Sequence, residues 1–342
     1  MLSVIEALMS TEEHFHPPFW LTNPHLQTLL PMLLPRPGCP ALQRERWELA
    51  DGDFIDLDWL HEPTSCHQRP SDSTPLVVIF HGLEGCSGSH YVRGLLSQLA
   101  PLGWGAVVMH FRGCSGEPNR LARAYHSGET SDAAQLLTLL RQRYPHRPLL
   151  AVGYSLGANM LLKYLGEQGS DCPLQGAIAV CAPLRLDLCA EQLRQPQAWL
   201  YQQYLLRRMR ASLRRKMQQQ QLPLSLTPEQ LPQLRDFFAY DNQVTAPLHG
   251  FADVHHYYQA CSARQFLKDI RVPTSMLQAY DDPFMTPQVL PAAAELSAST
   301  QLTISRYGGH IGFVDWQQGH WHFWLDAWIR RQLQTLASIQ PG

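Results

Sequence analysis

The chain has 342 residues, of which 45% are hydrophobic and 16% charged, with a formal net charge of −2. That balance fits a folded chain with a sizeable core and excludes a disordered one. The near-neutral charge gives no global attraction to nucleic acid or to anionic membrane, so no nucleic-acid partner is expected and function must come from a local site.

Met1–Ser10 is apolar but lacks a basic leader and soon meets Glu12 and Glu13, which makes a poor secretory signal. No apolar run approaches the ~20 residues that a membrane span requires. The eight cysteines (Cys39, Cys66, Cys86, Cys114, Cys172, Cys181, Cys189 and Cys261) show no CxxC pair and no framework spacing. A soluble, cytoplasmic protein with reduced thiols is expected. Residues 15–40 are rich in proline and aromatics and read as an extended arm, part of an arm over residues 1–43, packed on a domain. Two short strands follow, Arg44–Leu49 and Phe54–Leu60, joined by a turn at Asp51-Gly52-Asp53, and then a polar loop from Pro63 to Pro75.

From there short apolar runs alternate with longer helical ones. Leu76–Phe80, Ala106–Phe111, Leu149–Tyr154 and Ala177–Val180 have the composition of parallel strands covered on both faces. Val92–Ala100, Ser131–Arg143 and Ala158–Gln168 are the helices between them. The pattern predicts an α/β fold with a mostly parallel central sheet flanked by helices. Residues 185–260 interrupt it, with Arg207, Arg208, Arg210, Arg214, Arg215 and Lys216 on one helical stretch. A solvated helical insertion is the preferred reading. A lid whose basic face meets acidic lipid or an anionic substrate is the alternative. Strands resume at Pro273–Tyr280 and Leu302–Tyr307, and Trp321–Leu333 suits a closing helix. No internal repeat is present, so the chain reads as one domain over residues 1–342 with a helical cap at 185–260 inside it.

Gly153-Tyr154-Ser155-Leu156-Gly157 is a G-x-S-x-G elbow, with a strand leading in and a helix leading out. A serine hydroxyl needs a base to become a nucleophile. On folds with this elbow the acid and the histidine follow in that order at later strand ends. Asp281 and Asp282 follow one such strand, and His310 follows the next through Gly308-Gly309. Asp282 is preferred as the acid because Pro283 and Pro287 after it suit the expected turn; Asp281 is the alternative. His255 and His256 lie in the insertion, and His320 and His322 on the surface of the closing helix, all four as structural residues. No zinc spacing is present. His81-Gly82-Leu83-Glu84-Gly85 ends the Leu76–Phe80 strand, where an oxyanion loop belongs, and assigns the backbone N–H groups of Leu83 and Leu156 to the oxyanion.

With these residues in place the sequence resembles the YheT-type family of α/β-hydrolases. The likeness runs through Asn23-Pro24-His25-Leu26-Gln27-Thr28, the His81–Gly85 loop, the string from His110 to Arg120, Tyr125–Thr130, Asp281–Phe284 and Gly308–Phe313. It implies the α/β-hydrolase fold, a Ser-Asp-His charge relay on Ser155, Asp282 and His310, and kinship with eukaryotic lipases and medium-chain acyl ester synthases or esterases. His256 departs from the family, which carries an acidic residue before Tyr257-Tyr258. Within the Arg112–Arg120 string, Arg112 and Glu117 read as a pair that fixes the loop beneath the oxyanion hole, with contact of Arg112 to a substrate carboxylate or phosphate as the alternative. The expected chemistry is hydrolysis of short- to medium-chain acyl esters without metal or organic cofactor. Acyl transfer to an alcohol, or binding without catalysis, are the alternatives. Aspartate-nucleophile dehalogenase or epoxide hydrolase chemistry is disfavoured by the serine at the elbow.

Overall fold

A computed structural model describes residues 15–36, 38, 40–60 and 74–339. The loop expected from Pro63 to Pro75 falls largely outside these residues, as do Met1–Ser10, Cys39 and Cys66. The chain opens with helix α1 (Pro24–Leu33), then β1 (Gln43–Glu48), β2 (Phe54–Leu60), β3 (Leu76–Phe80), α2 (His90–Leu99), β4 (Gly105–Met109) and α3 (Ser131–Arg143). It continues with β5 (Leu149–Tyr154), α4 (Leu156–Gln168), β6 (Gly176–Val180), α5 (Leu186–Leu193), α6 (Trp199–Gln219), α7 (Phe237–Tyr240), α8 (Ala246–His249) and α9 (Val254–Cys261). Last come β7 (Thr274–Ala279), β8 (Thr300–Ser305), β9 (Val314–Gln317), β10 (His320–Phe323) and α10 (Trp324–Ser338).

Eight strands form one sheet in the order β1-β2-β4-β3-β5-β6-β7-β8. The β1–β2 and β2–β4 pairs are antiparallel, and every pair from β4 to β8 is parallel. Every residue of β3, β4, β5 and β6 is buried, which is why these segments read as unbroken apolar runs and not as alternating ones. Each parallel step crosses through a helical connection, so the loops that follow β3, β5, β6, β7 and β8 open at one edge of the sheet. Helices α5 to α9 all fall between β6 and β7. They close a second apolar cluster of their own, built on Leu193, Leu206, Leu213, Leu231 and Tyr257.

Three expectations are corrected. The arm is not extended throughout: Asn23 accepts hydrogen bonds from His25 N–H and Leu26 N–H at 2.9 and 3.2 Å, and Pro24 fills the first helical position. An asparagine cap followed by proline starts a helix well, because the cap satisfies free donors and proline has none to lose there. The closing helix starts at Trp324, since a hairpin takes up Val314–Phe323, so His320 and His322 lie on β10. Its two-residue turn puts Gln318 and Gly319 at φ 50° and 82°, a left-handed pair that Gln does not advertise. Arg112 and Glu117 do not pair. Glu117 binds Arg46 at an exposed edge at 2.8 Å, whereas Arg112 is buried among carboxylates.

The Arg112 guanidinium donates twice to Asp132, at 2.7 and 2.6 Å, and once to Asp53 at 2.9 Å, with Asp51 2.8 Å away. It ties the turn before β2 to α3 and holds the loop after β4, with no open side for a ligand carboxylate. Replacing Arg112 by Met strands two buried carboxylates and should lower unfolding free energy by about 3–5 kcal/mol. Glu117→Gln at the exposed pair should stay within about 0.5 kcal/mol. Urea denaturation of both variants checks the contrast.

Candidate active site

The elbow forms because β5 must turn directly into α4. Ser155 takes φ 50° and ψ −117°, an unfavourable conformation for a side-chain-bearing residue. His310 lies on the loop after β8, with Nε2 2.9 Å from Ser155 Oγ and Nδ1 2.7 Å from Asp282 Oδ2. Asp282 Oδ1 accepts the Phe284 N–H at 2.8 Å, and the Phe284 ring stacks on the His310 imidazole with centroids 4.0 Å apart. Ser155, His310 and Asp282 thus stand in one hydrogen-bonded line. Asp281 points elsewhere and accepts the Gly309 N–H at 2.9 Å. Its second oxygen is buried without a partner among the described residues, and burial pushes its carboxyl up to about 6.

The loop after β3 sits against the elbow: a Cβ on Gly82 would lie 3.3 Å from Ser155 Cβ. Tyr91 Oη accepts the Gly82 N–H at 2.9 Å, Tyr125 Oη accepts the Glu84 N–H at 2.8 Å, and the Gly82 carbonyl accepts the Gly85 N–H at 2.9 Å. The N–H groups of Leu83 and Leu156 have no acceptor among the described residues, and both residues line the cavity that Ser155 faces. These are the two donors that the sequence singles out.

Beneath this loop a polar network fixes its base. His110 Nε2 is 2.7 Å from Asp58, which also takes two bonds from Arg44 and one from Ser87. Burial pushes the Asp58 carboxyl up, but Arg44, His110 and Ser87 outweigh it and hold the group well below the usual carboxylate range. His81 is fully enclosed, and burial drives it down to about 3, so it stays neutral.

Several positioning residues carried no assignment from sequence. Gln27 donates to the Leu21 and Val314 carbonyls and accepts the Val314 N–H, each at 2.9 Å, and Thr28 Oγ1 accepts the His310 N–H at 3.0 Å. Helix α1 therefore braces the His310 loop. A Cβ at Gly309 would come within 2.5 Å of the Pro24 carbonyl, which is why the loop needs glycine there. Asn23–Thr28 stood out only as part of a family likeness, and no chemical signal marks Gln27 or Thr28 as bracing residues. Glu84 is the second such residue. Its carboxylate accepts bonds from Tyr125 at 2.9 Å and from Ser212 of α6 at 2.7 Å, while Arg208 of α6 donates to its carbonyl at 2.6 Å.

The basic stretch on α6 is dispersed. Lys216 is buried on Asn119 and the Arg123 carbonyl, Arg208 rests on Glu84, and Arg207, Arg214 and Arg215 are exposed. His256 accepts the Ala252 N–H at 3.1 Å as part of a helix turn, and His255 is exposed on α9.

Among the described residues two groups bring metal-capable atoms within 4.8 Å of one another: His126, Glu129 and His249, and Cys181, Asp282 and His310. In the first, Glu129 is already engaged by Arg123 and Ser131; the second is the Asp–His pair with a neighbouring thiol. The cavity above Ser155 measures about 1140 Å³ and is walled by apolar side chains of α1, α5 and α6 with Phe237, Tyr257 and Tyr258. No helix among the described residues is long and apolar enough to cross a membrane.

Residues 75–317 match the family described as "alpha/beta hydrolase fold". The chain is 41% identical to "Putative esterase YheT" of Escherichia coli strain K12, over 95% of this chain and 94% of that protein. It is 30% identical to the mouse "Phospholipase ABHD3", over 89% of this chain and 74% of that protein. It is 32% identical to the Saccharomyces cerevisiae "Medium-chain fatty acid ethyl ester synthase/esterase 2", over 83% of this chain and 65% of that protein. The solved Pyrococcus furiosus esterase Pf2001 superposes with a TM-score of 0.54 at 12% identity, over 95% of this chain and 97% of that one, a likeness of fold. The chain belongs to the α/β-hydrolase family and is YheT-like within it.

The raised Asp281 carboxyl has a sign that can be measured. An unfolded aspartate titrates near ~3.9, so between that pH and about 6 the native state keeps a proton that the unfolded state releases. The stability tied to this proton is complete below ~pH 4 and is lost as pH rises through the folded value. Asp281→Asn, which retains an acceptor for Gly309, should gain melting temperature on wild type as pH rises from acid to neutral. A constant difference across that range would place the Asp281 proton elsewhere.

Proposed function

We propose that this protein is a serine carboxylic-ester hydrolase acting through an acyl-enzyme on short- to medium-chain acyl esters. One observation carries the reading: the unbroken hydrogen-bonded line from Ser155 through His310 to Asp282 at the floor of a large apolar cavity. His310 Nε2 takes the Ser155 proton as Oγ attacks the acyl carbonyl, and Asp282 holds the ring by Nδ1–H and stabilises the imidazolium. Leu83 and Leu156 N–H groups, without another acceptor among the described residues, receive the developing oxyanion. The alcohol leaves with the proton from His310. Water, deprotonated by the same nitrogen, then attacks the acyl-enzyme, releasing the acid and restoring Ser155. Each step uses groups of this chain, with no role for a metal or an organic cofactor.

The polar groups at the cavity floor orient the ester carbonyl, and the apolar walls receive the chain. The names of relatives as an esterase, a phospholipase and an ester synthase/esterase support an acyl ester as substrate. The last of these favours a second reading, in which an alcohol replaces water on the acyl-enzyme. Both reactions use the same residues and differ only in the acceptor.

A fluorophosphonate probe should label wild type and fail to label Ser155→Ala; a folded wild type that does not label sinks the serine mechanism. Asp282→Asn should lower kcat by about 10⁴-fold, while Asp281→Asn keeps turnover within a few-fold. With a p-nitrophenyl ester and added ethanol, product analysis separates the two acceptors: acid alone supports hydrolysis, and ethyl ester in proportion to ethanol supports transfer. Glu84→Ala, which removes the carboxylate's bonds to Tyr125 and to Ser212 of α6 while keeping the backbone bonds to Tyr125 and Arg208, should loosen the loop bearing Leu83 and reduce kcat by about 10-fold with little change in KM.

A further inference from the structure

Helix α1 is inside out. Its polar side chains Gln27 and Thr28 are buried on the His310 loop, whereas Leu29 and Met32 face solvent and Leu33 is 80% exposed. A surface helix normally buries its apolar stripe and wets its polar one, so this reversal needs a cause. The first turns of α6 repeat it, with Trp199 and Tyr204 exposed and Leu200 exposed to 71%. The two helices form one surface, because His25 of α1 lies 3.0 Å from the Tyr201 hydroxyl of α6 with the rings stacked. That surface is the cavity mouth: Leu29, Met32, Leu200 and Tyr204 belong to both the exposed rim and the cavity wall.

The charge next to the rim specifies its partner further. Leu200, Tyr204, Arg207 and Arg215 fall within one stripe of α6 at helical spacing. Arg207 and Arg215 are exposed, and Arg215 bonds the Ser212 hydroxyl, with no carboxylate paired to either among the described residues. Aromatic and aliphatic residues that lead into exposed arginines along one helix face are the pattern of a segment lying in a bilayer interface, apolar groups at the acyl boundary and guanidinium groups at the phosphates.

We propose that this rim seats the protein on an anionic phospholipid bilayer, with α1 and the start of α6 entering the interface and Arg207 and Arg215 meeting lipid phosphates. The ester substrate then enters the cavity from the membrane and not from water. This rests on the ester reading only for what enters; the contact itself is measured without turnover.

The test is co-flotation of the full chain with vesicles of phosphatidylcholine alone or mixed with phosphatidylglycerol. Wild type should float with the mixed vesicles and far less with the neutral ones. Arg207→Ser with Arg215→Ser should weaken binding to mixed vesicles about 30-fold, from ~1 kcal/mol for each charge. Leu33→Ser with Trp199→Ser should abolish flotation while keeping fluorophosphonate labelling at Ser155 and turnover of a short water-soluble ester, since neither side chain lines the cavity. Wild type that stays with the soluble fraction overturns the proposal, as does flotation unchanged by the Leu33 and Trp199 substitutions. A wild-type dimer dispersed by those substitutions assigns the rim to a second copy. Flotation that appears only after removal of the first fourteen residues assigns it to that segment. Either result also overturns the proposal. Loss of labelling in wild type would instead count against the ester reading and leave the flotation result standing.

Discussion

A side chain on Gly157 would place its Cβ 2.5 Å from the carbonyl oxygens of Phe80 and His81, and one on Gly153 would sit 2.6 Å from the Gly157 carbonyl. The end of β5, the start of α4 and the end of β3 therefore meet backbone to backbone. Ser155 must complete the turn between the two glycines, in a conformation that costs ~1–3 kcal/mol. The sheet on its far side holds it there, with the Ser155 N–H on the Val180 carbonyl at 2.9 Å. The strain is not confined to one residue. Glu84, Cys181, Ile311 and Phe313 also have positive φ, and they lie in the loops after β3, β6 and β8. The parallel sheet brings these loops to one edge, so positive-φ backbone collects where Ser155, His310 and Asp282 converge.

Apolar packing fixes how far apart such loops lie, but it constrains direction weakly; hydrogen bonds set orientation. The neighbourhood of Ser155 uses them accordingly. Thr28 grips His310 at its own N–H, Gln27 holds Val314 four residues on, and the Phe284 ring closes the imidazole face. Glu84 is held by Tyr125 from the core and by Arg208 and Ser212 from the insertion. Below, Arg112 and Asp58 carry buried charge, acceptable because Arg112 meets several carboxylates and Asp58 is bonded by Arg44, His110 and Ser87. A nitrogen misplaced by an ångström would weaken the Ser155–His310 contact sharply, so such investment in direction belongs next to chemistry.

The central strands were legible because each is buried on both faces and bounded by turn residues. Leu76–Phe80 and Leu149–Tyr154 match to the residue, and Ser155 with His310 follow from strand ends and glycines. What escaped depended on partners far away in the chain. The sequence offers Arg112 its near neighbour Glu117, yet its carboxylates are 59 and 20 positions away, at Asp53 and Asp132. Helix α1 was hidden by prolines, although Asn23-Pro24 is a good helix start, and its polar residues face inward because they serve the His310 loop. Composition cannot separate Asp281 from Asp282; only the direction each side chain takes out of the turn does.

The division between sheet and insertion bears on specificity. The groups of the Ser155 line sit on loops anchored in the sheet, whereas much of the apolar cavity wall comes from α1 and from the helices between β6 and β7. Such a wall could vary freely among relatives if it touched nothing else. Here it does touch something, since α6 binds both the carbonyl and the carboxylate of Glu84, the residue after the Leu83 donor. A change in the wall that shifts α6 is transmitted to that donor over two hydrogen bonds. In the proposed ester hydrolysis, selection of the acyl group and stabilisation of its oxyanion are then coupled through α6.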